Sequence, residues 1–201
     1  MNYLAHAYLS FNEPGILAGN LISDFVKGKA KYNYAPDVLK GIDLHRAIDD
    51  FTDTHGVTRQ AKEVFRPHYR LYAGAFMDVV YDHFLATDET RFPEGALAAF
   101  SEKVYRQLEP YVSLAPERFQ QLFPHMRTQN WLLNYQYRWG IERSFRGLVH
   151  RAAYMQESQT ALALFDKHYP FLQSCYRQFF PELYAFVRQS LGEGPRELIA
   201  G

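Results

Sequence analysis

The sequence predicts an all-α protein folded as a single-domain helical bundle. Apolar residues recur at helical spacing almost throughout, and strand-like alternation bounded by paired turn signals is missing. Charges are interspersed, with no internal repeat, low-complexity tract or Pro/Gly/Ser linker to divide the 201 residues. Fifteen Tyr and sixteen Phe, well above what a lean core requires, imply a large interior with hydroxyls at its edges.

Taken in order, a short first helix is expected over 2–10, closed by Asn12-Glu13-Pro14. Pro14 suits the first turn of a second helix reaching Lys27, because the N–H it lacks has no intrahelical partner there. Residues 27–34 read as a basic loop. Pro36 opens a third helix through Thr54, broken by Gly56, and a fourth follows over 57–65 before Pro67. The fifth spans about 69–86. Thr87-Asp88-Glu89 then leads to a looser part with helices near 94–108, 116–123 and 125–139, and two more before Pro181. Residues 1–191 form the expected domain, and 192–201, beginning Gly192-Glu193-Gly194-Pro195, a flexible tail.

Composition removes several function classes. Twenty-two Lys+Arg balance twenty-two Asp+Glu, so no global positive field marks a nucleic-acid binder. The one cysteine, Cys175, excludes a disulfide framework and any multi-cysteine metal site; beside Tyr176, Phe179 and Phe180 it reads as a small buried hydrophobe in a reducing, cytoplasmic setting. The start Met1-Asn2-Tyr3-Leu4-Ala5-His6 has no basic leader, and no window approaches the roughly 20 apolar residues of a membrane span, so a soluble protein without a membrane partner is expected. G-x-G-x-x-G, Walker, G-x-S-x-G and H-E-x-x-H motifs are all missing, which leaves dinucleotide oxidoreductases, P-loop kinases, serine hydrolases and zincins without their parts.

The informative residues are acids on the apolar faces of helices. With the third helix projected at about 100° per residue, Asp49 falls about 40° from His45, inside the arc of Val38, Ile42 and Ile48, and Asp53 extends the row. Asp43, Arg46 and Asp50 occupy the opposite, solvated side. In the fifth helix Asp78 and Asp82 repeat the pattern among Leu71, Ala75, Tyr81 and Leu85, with His83 turned to flank the same cavity. Asn20 and Asp24 stand one turn apart on the second helix, as do Asn2 and His6 on the first. A buried unpaired carboxylate costs several kcal/mol, so these acids are protonated, salt-bridged or bound to a cation. One or two divalent ions held between the helices resolve the pattern economically. Imidazole with several carboxylates suits Mn²⁺, Fe²⁺ or Mg²⁺, and the natural chemistry is phosphate-ester hydrolysis. His6 reads equally as a hydrogen-bonded core histidine.

Four blocks then resemble one family: Met1-Asn2-Tyr3-Leu4-Ala5-His6; Gly19-Asn20-Leu21-Ile22-Ser23-Asp24-Phe25-Val26-Lys27-Gly28; the run from Gly41 to Asp53; and Asp78-Val79-Val80-Tyr81-Asp82-His83-Phe84-Leu85. In that order they resemble the acyl-carrier-protein phosphodiesterases, with a weaker likeness from Trp131 to Tyr135 and from Tyr176 to Pro181. The resemblance implies a helical fold distantly related to HD-domain phosphohydrolases and a Mn²⁺-dependent hydrolase that removes the 4′-phosphopantetheine arm from holo-acyl carrier protein. One departure is plain: an HD protein carries adjacent His-Asp, whereas this chain has Asp82-His83. Carried over, the metal ligands are Asp24, His45, Asp49, Asp78 and Asp82, with Asp53 and His6 beside them in the centre. Water would attack phosphorus in line while His83, or His45 if not ligated, protonates the departing serine oxygen.

An acidic carrier protein requires a basic rim on a neutral enzyme. Candidates are Lys27, Lys29 and Lys31 after Asp24, Arg46 beside His45, and Arg59, Lys62, Arg66 and Arg70. Arg138, Arg143, Arg146 and Arg151 form a second patch with no carboxylate row near them in sequence. Two other readings stand beside this one: an HD-like phosphohydrolase of a nucleotide or other small ester, and a non-catalytic helical adaptor whose acids are paired internally.

Overall fold

A computed structural model describes residues 2–152 and 155–192, and within them every regular element is helical. The α-helices are α1 (Tyr3–Tyr8), α2 (Pro14–Ile22), α3 (Pro36–Thr54), α4 (Gly56–Lys62), α5 (Arg66–Tyr69), α6 (Ala73–Ala86), α7 (Ala96–Leu108), α8 (Glu117–Thr128), α9 (Trp131–Asn134), α10 (Arg138–Arg151), α11 (Gln159–Lys167) and α12 (Tyr169–Ser190). The all-α class expected from the sequence is the one observed. Residues 193–201, most of the expected tail, lie outside the described residues.

Several boundaries differ for identifiable reasons. The second helix stops at Ile22, short of the expected Lys27, and the chain continues through a 3-10 turn at Ser23–Phe25 and another at Gly28–Asn33, within the expected basic loop. The expected fifth helix is divided: Arg70, at φ 47°, breaks α5 from α6. Neither Pro124 nor Pro181 ends a helix, since both are carried inside, in α8 and α12. In α12 the buried series Leu172, Cys175, Phe179, Leu183 and Val187 continues across the proline, so packing outweighs the lost hydrogen bond. Asn130, at φ 46°, turns the chain between α8 and α9 and splits the helix expected over 125–139.

α2 and α3 form the tightest pair, because Gly19 and Gly41 bring the two backbones together. A β-carbon on Gly19 would lie 1.9 Å from the Val38 carbonyl oxygen, and one on Gly41 2.2 Å from that of Ile16. α1 crosses α2 and α6, while α12 packs on α3, α4 and α6. Stacked and edge-on rings fill the space between, among them Phe65, Phe76, Phe145, Tyr81 and Phe179. Tyrosine hydroxyls find polar partners inside the packing rather than only at its edges: Tyr105 accepts the Leu132 N–H, Tyr69 accepts that of Ala161, and Tyr176 donates to Asp88. No described helix is long and apolar enough to cross a membrane.

Candidate active site

The close approach of α2 and α3 places His45 against the end of α2, and α1 lays His6 over it. The two imidazoles stack with centroids 4.0 Å apart and planes 12° from parallel. Asn20 orients both. Its backbone carbonyl accepts the His45 Nδ1–H at 2.7 Å, and its side-chain oxygen accepts the His6 Nδ1–H at 2.7 Å. The Asn20 amide is itself fixed, donating to the His6 carbonyl and the Ser10 hydroxyl. With both Nδ1 atoms committed as donors, both Nε2 atoms face the acids.

Asp49, one turn beyond His45 on α3, bridges the two rings: Oδ1 is 3.3 Å from His6 Nε2 and Oδ2 is 3.1 Å from His45 Nε2. Asp24, in the 3-10 turn after α2, lies 3.1 Å from His45 Nε2 through Oδ1. The histidine side chains are only 3% and 8% exposed, whereas Asp49 is 40% and Asp24 72% exposed, so the cluster opens to solvent on its acidic side. Burial and the neighbouring His45 push His6 down to about 4, leaving it neutral. Burial opposes a charge on His45, but hydrogen bonds to Asp24 and Asp49 outweigh it and raise the ring to about 9. Burial likewise opposes ionisation of Asp49, yet the two histidines hold it well below the carboxylate range; the His45 hydrogen bond lowers Asp24.

This donor set fits a divalent cation. His6, His45 and Asp49 each offer one ligand atom, all within 4.8 Å of one another. Adjacent donors around an octahedral ion with bonds of about 2.1 Å are about 3 Å apart, close to the 3.1–3.3 Å spacings here. With Nδ1 donating to Asn20, the buried His6 Nε2 carries no proton for Asp49 Oδ1, 3.3 Å away, and a cation between the two would satisfy both. Once His45 gives up its Nε2 proton, two imidazoles and the Asp49 carboxylate converge as a triad that could hold a divalent ion, with Asp24 beside His45.

The other predicted residues fall elsewhere. Both oxygens of fully buried Asp82 accept backbone N–H groups at the start of α1, from Leu4 at 2.8 Å and Ala5 at 3.1 Å, so this acid holds the helix that carries His6. Burial raises its carboxyl to about 7. His83 faces away from the cluster: Nδ1–H donates to the Tyr135 carbonyl at 2.7 Å, and Nε2 accepts from the Tyr169 hydroxyl at 3.1 Å. The reversed Asp82-His83 pair therefore sits in the wall, and the His–Asp pairing of the cluster comes from His45 and Asp49. Asp78 borders the acids, its carboxyl raised by burial and by the charges of Asp49 and Asp53. Asp53 is exposed and bound to Lys62 at 2.6 Å.

The basic rim is partly neutralised. Lys31 pairs with Asp43, Arg66 with Glu63, and Arg46 donates to the Val26 carbonyl. Lys27, Lys29, Arg59 and Arg70 are exposed and, among the described residues, have no ion pair. In the sequence Asn20 stands out only as a neighbour of Asp24; its control of both rings acts partly through a backbone carbonyl, which leaves no trace in a residue pattern.

The acyl carrier protein phosphodiesterase family profile matches residues 1–183. The chain belongs to the acyl carrier protein phosphodiesterase family. Relatives named acyl carrier protein phosphodiesterase include one from Photorhabdus laumondii, 34% identical over 182 residues that cover 90% of this chain and 92% of the relative. Another, from Enterobacter sp. (strain 638), is 34% identical over 91% of this chain and 95% of its own length. A third, from Salmonella agona, is 33% identical over 92% and 96%. No solved structure matches the chain.

Proposed function

We propose that the chain is a metal-dependent phosphodiesterase hydrolysing the bond between the 4′-phosphopantetheine arm and the serine of holo-acyl carrier protein. The observation that carries this is the pair of Nε2 atoms turned toward one bridging carboxylate, in a chain of this family. His6, His45, Asp49 and Asp24 would hold a divalent ion, Mn²⁺ first and Fe²⁺ or Mg²⁺ next; such an ion supplies positive charge to a phosphate oxygen and acidifies water. Asn20 keeps both rings in the ligating tautomer, and Asp82 anchors α1 so that His6 meets Asp49. Asp78 and Asp53 extend the acidic edge. Water adds to phosphorus, the bond to the serine oxygen breaks, and the proton passes to that oxygen, giving apo-carrier protein and 4′-phosphopantetheine. His83 has both nitrogens engaged, so the structure supports a positioning role for it rather than proton donation.

Lys27 and Lys29, in the segment directly after Asp24, with Arg59 and Arg70, are the charges available to an acidic carrier. Residues 1–191 act as one catalytic domain in this reading, supported by the return of α12 onto α3. The relation to HD-domain phosphohydrolases belongs to the same proposal and rests on a cluster of His and Asp drawn from separate helices. A cytoplasmic site of action accords with the single, buried free cysteine.

The test is to measure bound metal and to incubate the protein with holo-carrier protein and Mn²⁺ while following the carrier by mass. Loss of the arm with wild type but not with Asp49→Ala is expected. Metal without cleavage would redirect the reading to a small phosphate ester. Absence of bound metal would leave a non-catalytic adaptor.

A further inference from the structure

Beside the cluster, α1, α9 and α10 enclose a groove of about 560 Å³. Its walls differ in chemistry. Tyr3, Trp131, Tyr135 and Trp139 form an aromatic side, with Tyr3 and Trp131 6.2 Å apart between centroids and Trp139 half-exposed. Arg143, Arg146 and Arg151 line the groove from α10 as a cationic stripe, with His150 among them. Arg143 donates to Gln129 at 2.7 Å, whereas the side chains of Arg146 and Arg151 are exposed and, among the described residues, have no ion pair or hydrogen bond. Like charges on one helix face repel unless an anion lies among them.

The groove and the cluster share helices α1 and α6. Tyr3 is one turn before His6, and Val79, on the floor, follows Asp78. The Tyr3 phenol, pushed up to about 12 mainly by burial, feels Arg151 on one side and Asp24 on the other. This brings Arg151, of the second arginine patch, near the acids, while Arg138 of that patch is paired with Asp166 outside the groove.

Two glycines of α10 line the groove for different reasons. Gly140 is required by packing, since a β-carbon there would lie 1.9 Å from the Asn134 carbonyl oxygen. A β-carbon on Gly147 would meet nothing within 4 Å. Glycine inside a helix costs about 1 kcal/mol relative to alanine, and no contact among the described residues accounts for Gly147. Space kept open for a bound molecule does.

We propose that this groove binds the arm of the substrate: a flexible, amide-linked chain whose phosphate end passes Arg151 and Tyr3 toward the acids and whose body runs along Trp131, Tyr135 and Trp139. The inference rests on the phosphodiesterase reading above and adds the subsite. Guanidinium groups match phosphate oxygens, and aromatic faces cover the apolar part of such a chain. The volume is that of a small-molecule site, while a docked helix needs a trough about 10 Å wide.

The chain's two tryptophans both line the groove, so intrinsic fluorescence reports on it. Titration with 4′-phosphopantetheine is expected to change the emission saturably, while equal concentrations of inorganic phosphate or apo-carrier protein do not. Gly147→Leu should weaken this response and raise KM for holo-carrier protein at least tenfold, with the melting temperature and bound Mn²⁺ unchanged. Arg151→Gln should weaken the response in the same direction. An equal response to phosphate alone would make the groove a general anion site, and one to apo-carrier protein would make it a docking face; either overturns the proposal. So would holo-carrier cleavage that proceeds with wild-type KM in Gly147→Leu. If wild type with Mn²⁺ does not cleave holo-carrier protein, the phosphodiesterase reading fails, and the fluorescence titration still decides whether the groove takes the arm.

Discussion

A neutral imidazole binds a cation only through the nitrogen that lacks a proton, so the acceptor at its other nitrogen decides whether it is usable. Asn20 settles this for His6 and His45 together, through its side chain and its carbonyl. Asn20→Ala removes the acceptor for His6 but keeps the carbonyl for His45. It is expected to lower Mn²⁺ affinity by about 10–100-fold and leave residual activity, as measured by metal titration. Asp82→Asn acts one step further away. The amide oxygen replaces one of two acceptors for the α1 N–H groups, so the variant should lose about 1–2 kcal/mol of stability while still binding metal; complete loss of metal would contradict the assignment of Asp82 to the helix. Much of this was legible before the fold was known. His45 and Asp49 stand out because a four-residue spacing puts both on an apolar arc. Asp82 stands out equally, but its partners are backbone N–H groups of another helix, which no residue pattern reveals.

At the scale of elements, the cluster depends on how closely α2 and α3 approach. Gly41→Ala drives a methyl group into the Ile16 carbonyl, and backbone must move to make room. The variant should lose about 2–3 kcal/mol, and the shift separates Asn20 from His45, so Mn²⁺ affinity should fall although no ligand has changed. Calorimetry and metal titration read the two effects separately. His83 ties α6 to Tyr135 and to Tyr169 on α12, and burial lowers its affinity for protons. The unfolded chain then binds that proton more readily than the folded one, so stability present above about pH 6.5 is lost as the pH falls below it. Tyr135 and Tyr169 ionise far above this window. His83→Gln should be about 1–2 kcal/mol less stable than wild type at pH 8, with the gap narrowing toward pH 5 in denaturant titrations; a constant gap would remove His83 as the cause. The helix periodicity gave these elements, whereas Pro124 and Pro181 misplaced their ends because buried apolar rows on both sides of each proline outweigh one missing hydrogen bond.

For the whole molecule, a net charge of zero does not mean that every cation is equally available. Lys62 is held by Asp53 and Lys31 by Asp43, both at 2.6 Å, so their charge is already balanced where it stands. Lys27 and Lys29 lie on the same side of the sequence as Asp24, with no such partner among the described residues. An acidic protein approaching the cluster responds to the unbalanced charges, because a compensated pair presents only a dipole that fades within a Debye length of about 8–10 Å. Reversing both charges, Lys27→Glu with Lys29→Glu, is therefore expected to raise KM for holo-carrier protein at least tenfold with kcat nearly unchanged. Lys62→Ala should change KM less than twofold. Raising the salt concentration from about 0.05 to 0.5 M should raise the wild-type KM and leave that of the double variant almost constant. Equal salt sensitivity in both proteins would move the docking surface away from the segment after Asp24 and toward the arginines of α10.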